Sequence, residues 1–421
     1  MNQLITNATL VTLAGLAGPR AGAEMSRLAG IRKGALLMGG GKILAVGPEA
    51  AVIGRSEAKK AFRYNADERV VLPGFVDSHT HPVFGSPRLK DFDLCIRGKS
   101  YEEIAAQGGG IVSSINAMRG AKEEDLTRML SKRAKDFIES GTTTIEAKSG
   151  YGLDKASELK ALRVIKHVNA GGILEIVPTF LGAHAIPPEY QGRPSEYITM
   201  MCEEVLPVVA KEKLAVYVDA FCERGYFSPA LSERFLKAGA AAGLGVKIHA
   251  EQLSRSGGAD LAVKLGAATA DHLDHASDDD LAKLKAAGVI ASLVPGSNQF
   301  IGAKEFPPGR RIIDAGLAVA LATDYNPGSC PCWNMQEIIS IAASRMRLTA
   351  EEAICAATIN GAYAVGLGRT HGSLESDKVA DVVVMECRDY REIAYWFGAN
   401  LTAAVYKGGN LVFRRKSLGE Q

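Results

Sequence analysis

The stretch VVLPGFVDSHTHPVFG, residues 70–85, joins an apolar run to two histidines that are one residue apart. In an extended strand, residues i and i+2 point to the same side, so His79 and His81 are expected to project together. A single histidine at a strand end is as often packed and hydrogen-bonded as it is a ligand. Two that project together can share one metal ion.

Seven further apolar runs, each ending in polar residues, follow this stretch and are separated by segments with helical periodicity, such as residues 124–141. The runs are TTTIEAKSG (142–150), LEIVPTFLGAH (174–184), AVYVDAFCE (215–223), GVKIHAE (245–251), ATADHLDH (268–275), GVIASLVPG (288–296) and LAVALATDYNPG (317–328). Eight strand–helix units in series predict an α/β fold, a (β/α)8 TIM-like barrel, here over residues 69–372.

The two ends of the chain have a different pattern. The segment ALLMGGGKILAVG, residues 35–47, places glycines between two apolar runs and predicts a β-hairpin. The end of the chain is similarly rich in β-branched residues and turn glycines. We therefore expect residues 1–68 and 373–421 to form a small β-sandwich domain assembled from both termini.

Composition limits the function classes that fit the chain. Its 421 residues have a formal net charge of +2, so no large basic face for nucleic acid is implied. We find neither a signal peptide nor the ~18 consecutive apolar residues that a membrane helix requires. The seven cysteines are dispersed, as is typical of a protein in the reducing cytoplasm. The sequence predicts a cytoplasmic protein that binds neither nucleic acid nor membranes.

Polar residues close most of the predicted barrel strands. The carboxyl ends of barrel strands meet at one rim, where barrel enzymes carry their chemistry. The strand-end residues are His79, His81, Lys148, His184, Glu223, His249, His272 and Asp324. Within this set, three imidazoles and a carboxylate, from His79, His81, His249 and Asp324, suit one zinc or a similar first-row ion and leave a position for water.

A metal at this rim predicts hydrolysis, because a bound ion lowers the pKa of its water from ~15.7 toward ~7. Asp324 could take the proton of the water and pass it to a leaving nitrogen. His272 could hold the attacking hydroxide or polarise the carbonyl. Two-metal sites of this type usually need a bridging lysine on the fourth strand, which VDAFCERG lacks. We expect one metal, with Lys148 as an alternative bridge.

Two stretches, PGFVDSHTH (73–81) and GSLESDKVADVVV (372–384), resemble the amidohydrolase superfamily over nearly the whole chain. Five further motifs, in order, are similar to the imidazolonepropionase family: HTHPVFGSPRLKDFDLCIRGKSYEEIAAQGGGI, TTTIEAKSGYGL, TFLGAHAIP, KIHAEQ and ATDYNPGSC. The resemblance implies a homodimeric enzyme that uses zinc or iron to open the ring of 4-imidazolone-5-propanoate with water, giving N-formimidoyl-L-glutamate. It also implies the same four metal ligands.

The resemblance further implies a set of substrate contacts. Arg88 matches the arginine that holds the substrate's propionate, in line with the two charge-assisted hydrogen bonds that a guanidinium makes to a carboxylate. Tyr151 and His184 match other substrate contacts. The loop after the eighth strand matches where side-chain and backbone donors meet the ligand, at Asn326, Gly328 and Ser329.

One position departs from the pattern of some relatives, which carry a glutamate three residues after the fifth-strand histidine. This chain has Gln252 there, and Glu251 lies one residue earlier. On a continuing strand Glu251 would face the opposite side, so we expect Gln252 to bind substrate and Asp324 with His272 to move protons. Glu251 stays open as a general acid if the chain leaves extended geometry before it.

Two other functions remain open. A deaminase or cyclic-amide hydrolase that acts on a nucleobase-like ring would use the same metal chemistry, but such a ring has no carboxylate for Arg88. A barrel that has lost its metal and catalyses nothing is the third possibility. His167 and His371 are expected to lie away from the rim, and His275 could stand behind His272.

Overall fold

The structure is a computed structural model that describes residues 1–99, 103 and 108–416. Part of the motif at residues 79–111 and residues 417–421 of the predicted small domain lie outside the described residues. The described strands are β1 (Gln3–Val11), β2 (Gly30–Gly39), β3 (Lys42–Pro48), β4 (Phe62–Asn65), β5 (Val70–Pro73), β6 (Phe75–Asp77), β7 (Thr142–Lys148), β8 (Glu175–Ala183), β9 (Tyr217–Cys222), β10 (Gly245–Ala250), β11 (Thr269–His272), β12 (Ile290–Leu293), β13 (Val319–Leu321), β14 (Val382–Met385), β15 (Thr402–Lys407) and β16 (Asn410–Arg414).

Helices connect most of these strands. The described α-helices are Glu49–Ile53, Leu89–Ile96, Ile111–Gly120, Glu123–Glu139, Lys155–Ala170, Pro194–Met200, Leu206–Glu212, Pro229–Ala241, Gly258–Leu265, Asp278–Ala287, Pro295–Phe300, Gly309–Asp314, Met335–Met346, Ala350–Cys355, Gly361–Ala364 and Glu392–Tyr395. Single π-helical turns, Met201–Val205 and Ala356–Asn360, join two pairs of them into longer helices. Short 3-10 turns lie at Gly22–Ser26, Ser56–Ala58 and Pro188–Tyr190.

The strands β6 to β13 form one eight-stranded sheet in sequence order, and all seven pairings between them are parallel. Beyond the strands, the first and last segments also meet, because His81 N–H donates to Tyr325 O (2.8 Å) and Asp324 N–H donates to His79 O (3.0 Å). All eight predicted strands are therefore present, and the predicted barrel fold is confirmed.

Helix Glu123–Glu139 shows why the segments between the strands are helical. Its buried residues, Leu126, Leu130, Ala134, Phe137 and Ile138, recur every three to four positions and form one apolar face. This face packs into the main hydrophobic core, which also takes in residues of the barrel strands. Burial of that face, rather than intrinsic propensity alone, fixes the helix against the barrel.

The second sheet is built from both ends of the chain, in the order β16-β15-β14-β5-β1-β2-β3, with β4 paired to β1. The predicted hairpin is present between β2 and β3, and Gly40 and Gly41 take the positive φ values, +60° and +83°, that its tight turn requires. Next to this turn, Ile43 N–H donates to Lys378 O (2.9 Å), so the sheet curls back on itself. The curled sheet encloses a separate apolar core.

The small sheet includes β5, which follows the predicted boundary at residue 68, and the chain passes directly from β5 into barrel strand β6. The division of the chain into two domains stays a prediction. In the described part of the chain, no helix combines the length and apolar character needed to cross a membrane.

Candidate active site

Three of the predicted metal ligands lie together at the rim where β6 and β13 end. The Nε2 atoms of His79 and His81 are 3.2 Å apart. Asp324 Oδ1 lies 3.7 Å from the first nitrogen and 3.4 Å from the second. The hydrogen bonds that join these segments hold the carboxylate opposite the imidazoles. All three ligand atoms are close enough together to hold one metal ion.

His249, the fourth predicted ligand, and His272 complete the rim. The ring centroid of His249 lies 4.5 Å from that of His79 and 5.2 Å from that of His272. The Nε2 atoms of His249 and His272 are buried and have no hydrogen-bond partner among the described residues. A buried nitrogen without a partner is costly unless a ligand completes it. The donor set therefore fits a cation, and its nitrogen and oxygen atoms accept either zinc or iron.

Two buried carboxylates stand behind these imidazoles, and the sequence reasoning missed both. His79 Nδ1–H donates to Asp271 Oδ2 (2.6 Å), and His249 Nδ1 lies 3.0 Å from Asp219 Oδ2. Such partners fix the orientation and tautomer of a ligating imidazole and leave Nε2 for the metal. A signal was present, because Asp219 and Asp271 lie within predicted barrel strands that are otherwise largely apolar, where a charge needs a partner.

Lys148 does not lie at the rim as a free amine. Its ammonium is fully buried within 3.4 Å of three carboxylates, those of Glu146, Asp219 and Asp271. The alternative in which Lys148 bridges two metals is therefore corrected: that role needs a neutral amine free to become a carbamate, whereas this one is an ion-paired ammonium.

Burial controls the protonation of the site. Removal from water raises the pKa of Asp324 to about 7, and a cation beside it would lower that pKa again. Burial also lowers the pKa of His184 to about 3, with nearby His249 adding to the shift. For the same reason the pKa values of His79, His81 and His272 lie well below the ordinary value. Neutral imidazoles are the form that binds a metal.

The rim opens into a cavity of about 630 Å³. Its polar lining includes all the predicted substrate contacts, Arg88, Tyr151, His184, Gln252, Asn326, Gly328 and Ser329, together with His81, His249, His272 and Asp324. Its apolar lining includes Phe92, Ile96, Phe221 and Phe300. A concave, partly apolar cavity with a few convergent polar groups suits a small-molecule substrate.

Arg88 is held at the side of this cavity. Its Nε–H donates to Ser114 Oγ (2.8 Å), and its guanidinium carbon lies 6.0 Å from the centre of the Tyr151 ring. The terminal nitrogens make no hydrogen bond to another described residue. Close approach to Gly328 is possible only because glycine has no side chain, since a Cβ there would lie 2.5 Å from Arg88 Nη1. The guanidinium is thus positioned and available for a carboxylate.

Tyr151 and His184 form an aromatic wall beside His81. The ring centroids of His81 and His184 are 5.2 Å apart in a stacked arrangement, and Tyr151 lies 5.4 Å from His184. His184 Nδ1–H donates to Gly150 O (2.8 Å), which leaves its Nε2 as an acceptor. The buried carboxylate of Glu158 accepts N–H groups of Gly150, Gly152 and Leu153 and so fixes the loop that carries Tyr151.

Glu251 and Gln252, the two residues after β10, point into different parts of the structure. Glu251 has left extended geometry, with φ +53°, and its carboxylate accepts N–H groups of Ser256, Gly257 and Ala259 at the start of the next helix. It does not line the cavity, whereas Gln252 does. Glu223 accepts the N–H groups of residues 253 and 254 and thereby anchors the loop that carries Gln252.

The loop after β13 is organised by Asn326. Its side-chain carbonyl accepts the N–H groups of Gly328 (2.8 Å) and Ser329 (2.7 Å), and its amide donates to Asp324 O (2.6 Å). These backbone donors are engaged within the loop. The Ser329 hydroxyl accepts an N–H of the Asn326 side chain (2.8 Å) and also approaches Asp324 Oδ2 at 3.5 Å. Within this loop Asn326 therefore fixes the backbone, and the Ser329 hydroxyl lies near the carboxylate of Asp324.

The remaining histidines lie elsewhere. His167 is exposed on helix Lys155–Ala170, and His371 is buried between the barrel and the small sheet, 3.9 Å from Asp381. His275 is exposed, and its backbone N–H donates to Glu251 O (2.9 Å). None of the three lines the cavity.

Comparison with known proteins adds the family context. The sequence model described as "Amidohydrolase family" matches residues 70–412. The imidazolonepropionase of Solibacter usitatus is 45% identical over 408 residues, which cover 97% of this chain and 97% of that protein. That of Symbiobacterium thermophilum is 46% identical over 405 residues, covering 96% of this chain and 95% of that protein.

Solved structures with the same fold are far more distant in sequence. A triazine hydrolase variant superposes with a TM-score of 0.75 at 16% identity, covering 98% of this chain and 95% of that one. Guanine deaminase from Escherichia coli gives a TM-score of 0.73 at 17% identity, covering 99% and 100%. At these identities the likeness concerns the fold alone.

Proposed function

Because the chain belongs to the amidohydrolase family and, within it, to the imidazolonepropionases, we propose that it hydrolyses the ring of 4-imidazolone-5-propanoate. Water adds to the ring carbonyl, the ring carbon–nitrogen bond breaks, and N-formimidoyl-L-glutamate is released. The reaction is a step of histidine degradation.

One observation carries the proposal: a cation-binding cluster and a positioned guanidinium share one cavity. The cluster of His79, His81, His249 and Asp324 suits hydrolytic metal chemistry, and Arg88 suits a substrate that carries a carboxylate. A ring amide with a propionate side chain has both of the groups that this pairing would recognise.

We assign those four residues as ligands of one zinc or iron ion. When bound, such an ion supplies the Lewis acidity that makes water nucleophilic near neutral pH. Asp271 holds the His79 ring by a hydrogen bond to Nδ1, and Asp219 lies beside Nδ1 of the His249 ring. Neither residue is proposed as a ligand, because Lys148 already pairs with both carboxylates.

Proton transfer falls to Asp324 and His272. Asp324 accepts the proton of the attacking water and returns it to the nitrogen that leaves the ring. His272, neutral because burial lowers its pKa, holds the attacking oxygen or polarises the ring carbonyl. Glu251 takes no part in this scheme, since three backbone N–H groups occupy its carboxylate.

The remaining side chains bind and orient the substrate. Arg88 clamps the propionate, and the Tyr151 hydroxyl and His184 Nε2 contact the ring from the aromatic wall. Gln252 hydrogen-bonds the ring but cannot accept a proton. In the loop after β13, Ser329 contacts the ligand while Asn326 and Gly328 give the loop its shape.

The second candidate is a deaminase or cyclic-amide hydrolase acting on a nucleobase-like ring. The solved structures with this fold include an adenosine deaminase with bound zinc from Xanthomonas campestris, at 18% identity and a TM-score of 0.66, covering 100% of this chain and 94% of that one. A nucleobase has no carboxylate for Arg88, so the position of that residue favours the first function.

We also propose where the enzyme is located, what it binds and how its chain divides into domains. All seven cysteines are unpaired, which suits a reducing cytoplasm. The near-neutral net charge suits a small-molecule substrate, with no nucleic acid or membrane as partner. A homodimer follows from the resemblance to the family. Residues 1–68 with 373–421 are proposed as the small domain and residues 69–372 as the catalytic barrel.

The direct test uses the full chain loaded with zinc or iron. On addition of 4-imidazolone-5-propanoate, the ultraviolet absorbance of the ring should disappear and N-formimidoyl-L-glutamate should form. An Asp324→Asn variant serves as the inactive control. Unchanged ring absorbance with metal-loaded, folded protein would contradict the proposal, and release of ammonia from a nucleobase would favour the second candidate.

A further inference from the structure

We propose that Lys148 is a positioning residue for the metal centre. Its ammonium holds Asp271 and Asp219 in the places where each carboxylate meets the Nδ1 atom of a predicted metal ligand. The inference rests on the proposed function only in requiring that the site binds a metal ion.

The geometry at Lys148 connects three barrel strands. Its Nζ donates to Asp219 Oδ2 on β9 (2.6 Å) and to Asp271 Oδ2 on β11 (3.4 Å), and it forms an ion pair with Glu146 Oε2 on its own strand (3.0 Å). All four side chains are fully buried. An ammonium has three N–H donors, so one lysine can serve all three carboxylates.

The two aspartate oxygens that face Lys148 are the same atoms that face the imidazoles. Asp271 Oδ2 accepts from His79 Nδ1 at 2.6 Å, and Asp219 Oδ2 lies 3.0 Å from His249 Nδ1. Asp271 Oδ2 thus bonds to both the ammonium and a ring, and Asp219 Oδ2 bonds to the ammonium and lies beside a ring. Displacing the ammonium would therefore disturb the carboxylates beside both rings.

Ring orientation matters for the ion because it decides which nitrogen is offered. With Nδ1–H directed at a carboxylate, Nε2 of His79 carries the lone pair and faces His81 and Asp324. Nδ1 and Nε2 of His249 are both buried without a hydrogen-bond partner among the described residues, and Nδ1 lies 3.0 Å from Asp219 Oδ2. Carboxylate partners of this kind commonly contribute 10- to 100-fold in metal affinity. Lys148 does not contact the imidazoles and would act on them through Asp219 and Asp271.

Charge balance explains why an ammonium stands here. Without Lys148, the Asp219 and Asp271 carboxylates would be buried side by side with no cation of their own. The other buried lysine, Lys247, lies on β10 and pairs with Glu146 Oε1 (3.1 Å) and Ser78 O (3.1 Å). Lys247 has no ion pair or hydrogen bond to either aspartate. Its charge acts on Asp271 at a distance, but its Nζ contacts neither of the two aspartate oxygens, so Lys247 is a control of equal burial and charge without those contacts.

The surroundings of Lys148 favour its protonated, charged form. Burial alone would lower its pKa, but the carboxylates of Asp219, Glu146 and Asp271 reverse this and hold that pKa above its ordinary value. The group therefore carries its charge throughout the pH range in which the enzyme would work.

The test compares two single variants of the full chain, Lys148→Met and Lys247→Met. Both lose one buried ammonium, so both should be less stable to heat. Zinc affinity is then measured by competition with a chromophoric chelator, without substrate. We expect Lys148→Met to bind zinc about 10- to 100-fold more weakly. Lys247→Met should keep the zinc affinity of the unsubstituted protein within a few-fold.

Equal zinc affinity of Lys148→Met and the unsubstituted protein would overturn the proposal, and so would an equal loss in both variants, which would mean a structural role only. If the unsubstituted protein binds neither zinc nor iron, both this inference and the proposed function fail. Zinc binding without ring hydrolysis would contradict the proposed function alone and leave this inference standing.

A second comparison covers the case in which Lys148→Met does not fold, because it leaves two buried carboxylates without their ammonium. The double variant Lys148→Met with Asp219→Asn removes one charge of each sign. It should bind zinc more weakly than Asp219→Asn alone, since Asp271 has then also lost its partner. Equal affinities of these two variants would overturn the proposal.

Discussion

Arg88 is the residue that separates the two candidate substrates. Its guanidinium is held by Ser114 and faces a cavity that is also lined by the proposed metal ligands His81, His249 and Asp324. A carboxylate that reaches this position gains two charge-assisted hydrogen bonds and a full charge pairing, whereas a nucleobase has no carboxylate to offer the guanidinium. The identity of the substrate thus depends on one side chain more than on the metal ligands, which both candidates would share.

Arg88→Ala should lower kcat/KM for 4-imidazolone-5-propanoate. Loss of the charged hydrogen bonds to the propionate should weaken transition-state binding by about 2–4 kcal/mol. Steady-state kinetics of the variant measure this loss. Ser114→Ala, which keeps the guanidinium, should lose much less. Unchanged kinetics in Arg88→Ala would move the assignment to the nucleobase-like substrate.

His184 should make the metal-free protein less stable in acid. Burial lowers its pKa to about 3, whereas the unfolded chain titrates near the ordinary value of 6.5. Below pH 6.5 the unfolded state therefore binds a proton that the folded state does not, and stability falls as the pH drops toward 3. Between pH 7 and pH 5 this amounts to about 2 kcal/mol.

Chemical denaturation at the two pH values, with a chelator present, measures this effect in comparison with a His184→Gln variant. The loss of stability on acidification should be smaller in the variant by roughly that amount, about 2 kcal/mol. Other groups titrate in both proteins, so their contributions to the change in stability cancel in the comparison. Parallel losses in the two proteins would contradict a neutral, buried His184.

At the level of secondary-structure elements, the barrel strands place the ligands and buried side chains fix the loops. Glu158 anchors the loop after β7, Glu223 the loop after β10, and Asn326 the loop after β13. Each accepts at least two backbone N–H groups, which an irregular loop near the barrel interior would otherwise leave unpaired. The loops can therefore hold side chains in one geometry.

Gly328→Ala tests the contact between the loop after β13 and the segment that carries Arg88. The new Cβ would lie 2.5 Å from Arg88 Nη1, and the end of that side chain can move aside. We expect a displaced guanidinium, with kcat/KM reduced about 10- to 100-fold because small misplacements of a binding group are costly.

Stability should hardly change in Gly328→Ala, since the flexible arginine absorbs the clash, and thermal denaturation checks this. Gly120→Ala is the control, because a Cβ there has no atom within 4 Å outside its own helix and immediate neighbours. Equal kinetics of the two alanine variants would contradict the described packing of Arg88 against the loop.

For the whole molecule, an ion bound by the proposed ligands would also join the two ends of the barrel sheet. His79 and His81 follow the first barrel strand, Asp324 follows the last, and His249 lies on the fifth. An ion bound by these residues would link segments more than 200 positions apart in the chain. Because it binds only the folded state, it should stabilise that state.

Removal of the ion with a chelator should therefore abolish activity and lower the thermal stability together. At a free ion concentration of 100 times Kd the stabilisation is about 2.7 kcal/mol. Thermal denaturation with and without added zinc or iron measures it. His249→Asn should lose the response, and His167→Asn, on an outer helix, should keep it. Identical melting curves in all conditions would contradict a metal-binding site.

The sequence alone was sufficient for the barrel and for the meeting of the strand-end histidines with Asp324, because both follow from local patterns. Apolar runs that alternate with amphipathic helices define the strand order, and polar residues at strand ends must meet at one rim. Motif resemblance added the family, which the comparisons confirmed. The role of each rim residue stays a prediction.

Partners behind the rim could not be read in the same way, because they depend on which inward-facing side chains become neighbours across the barrel. Lys148 looked like a possible metal bridge, yet three carboxylates from three strands surround it. Glu251 kept an open role until the turn after β10 directed its carboxylate to backbone N–H groups. Contacts between distant strands are set by closure of the sheet, and no local pattern encodes them.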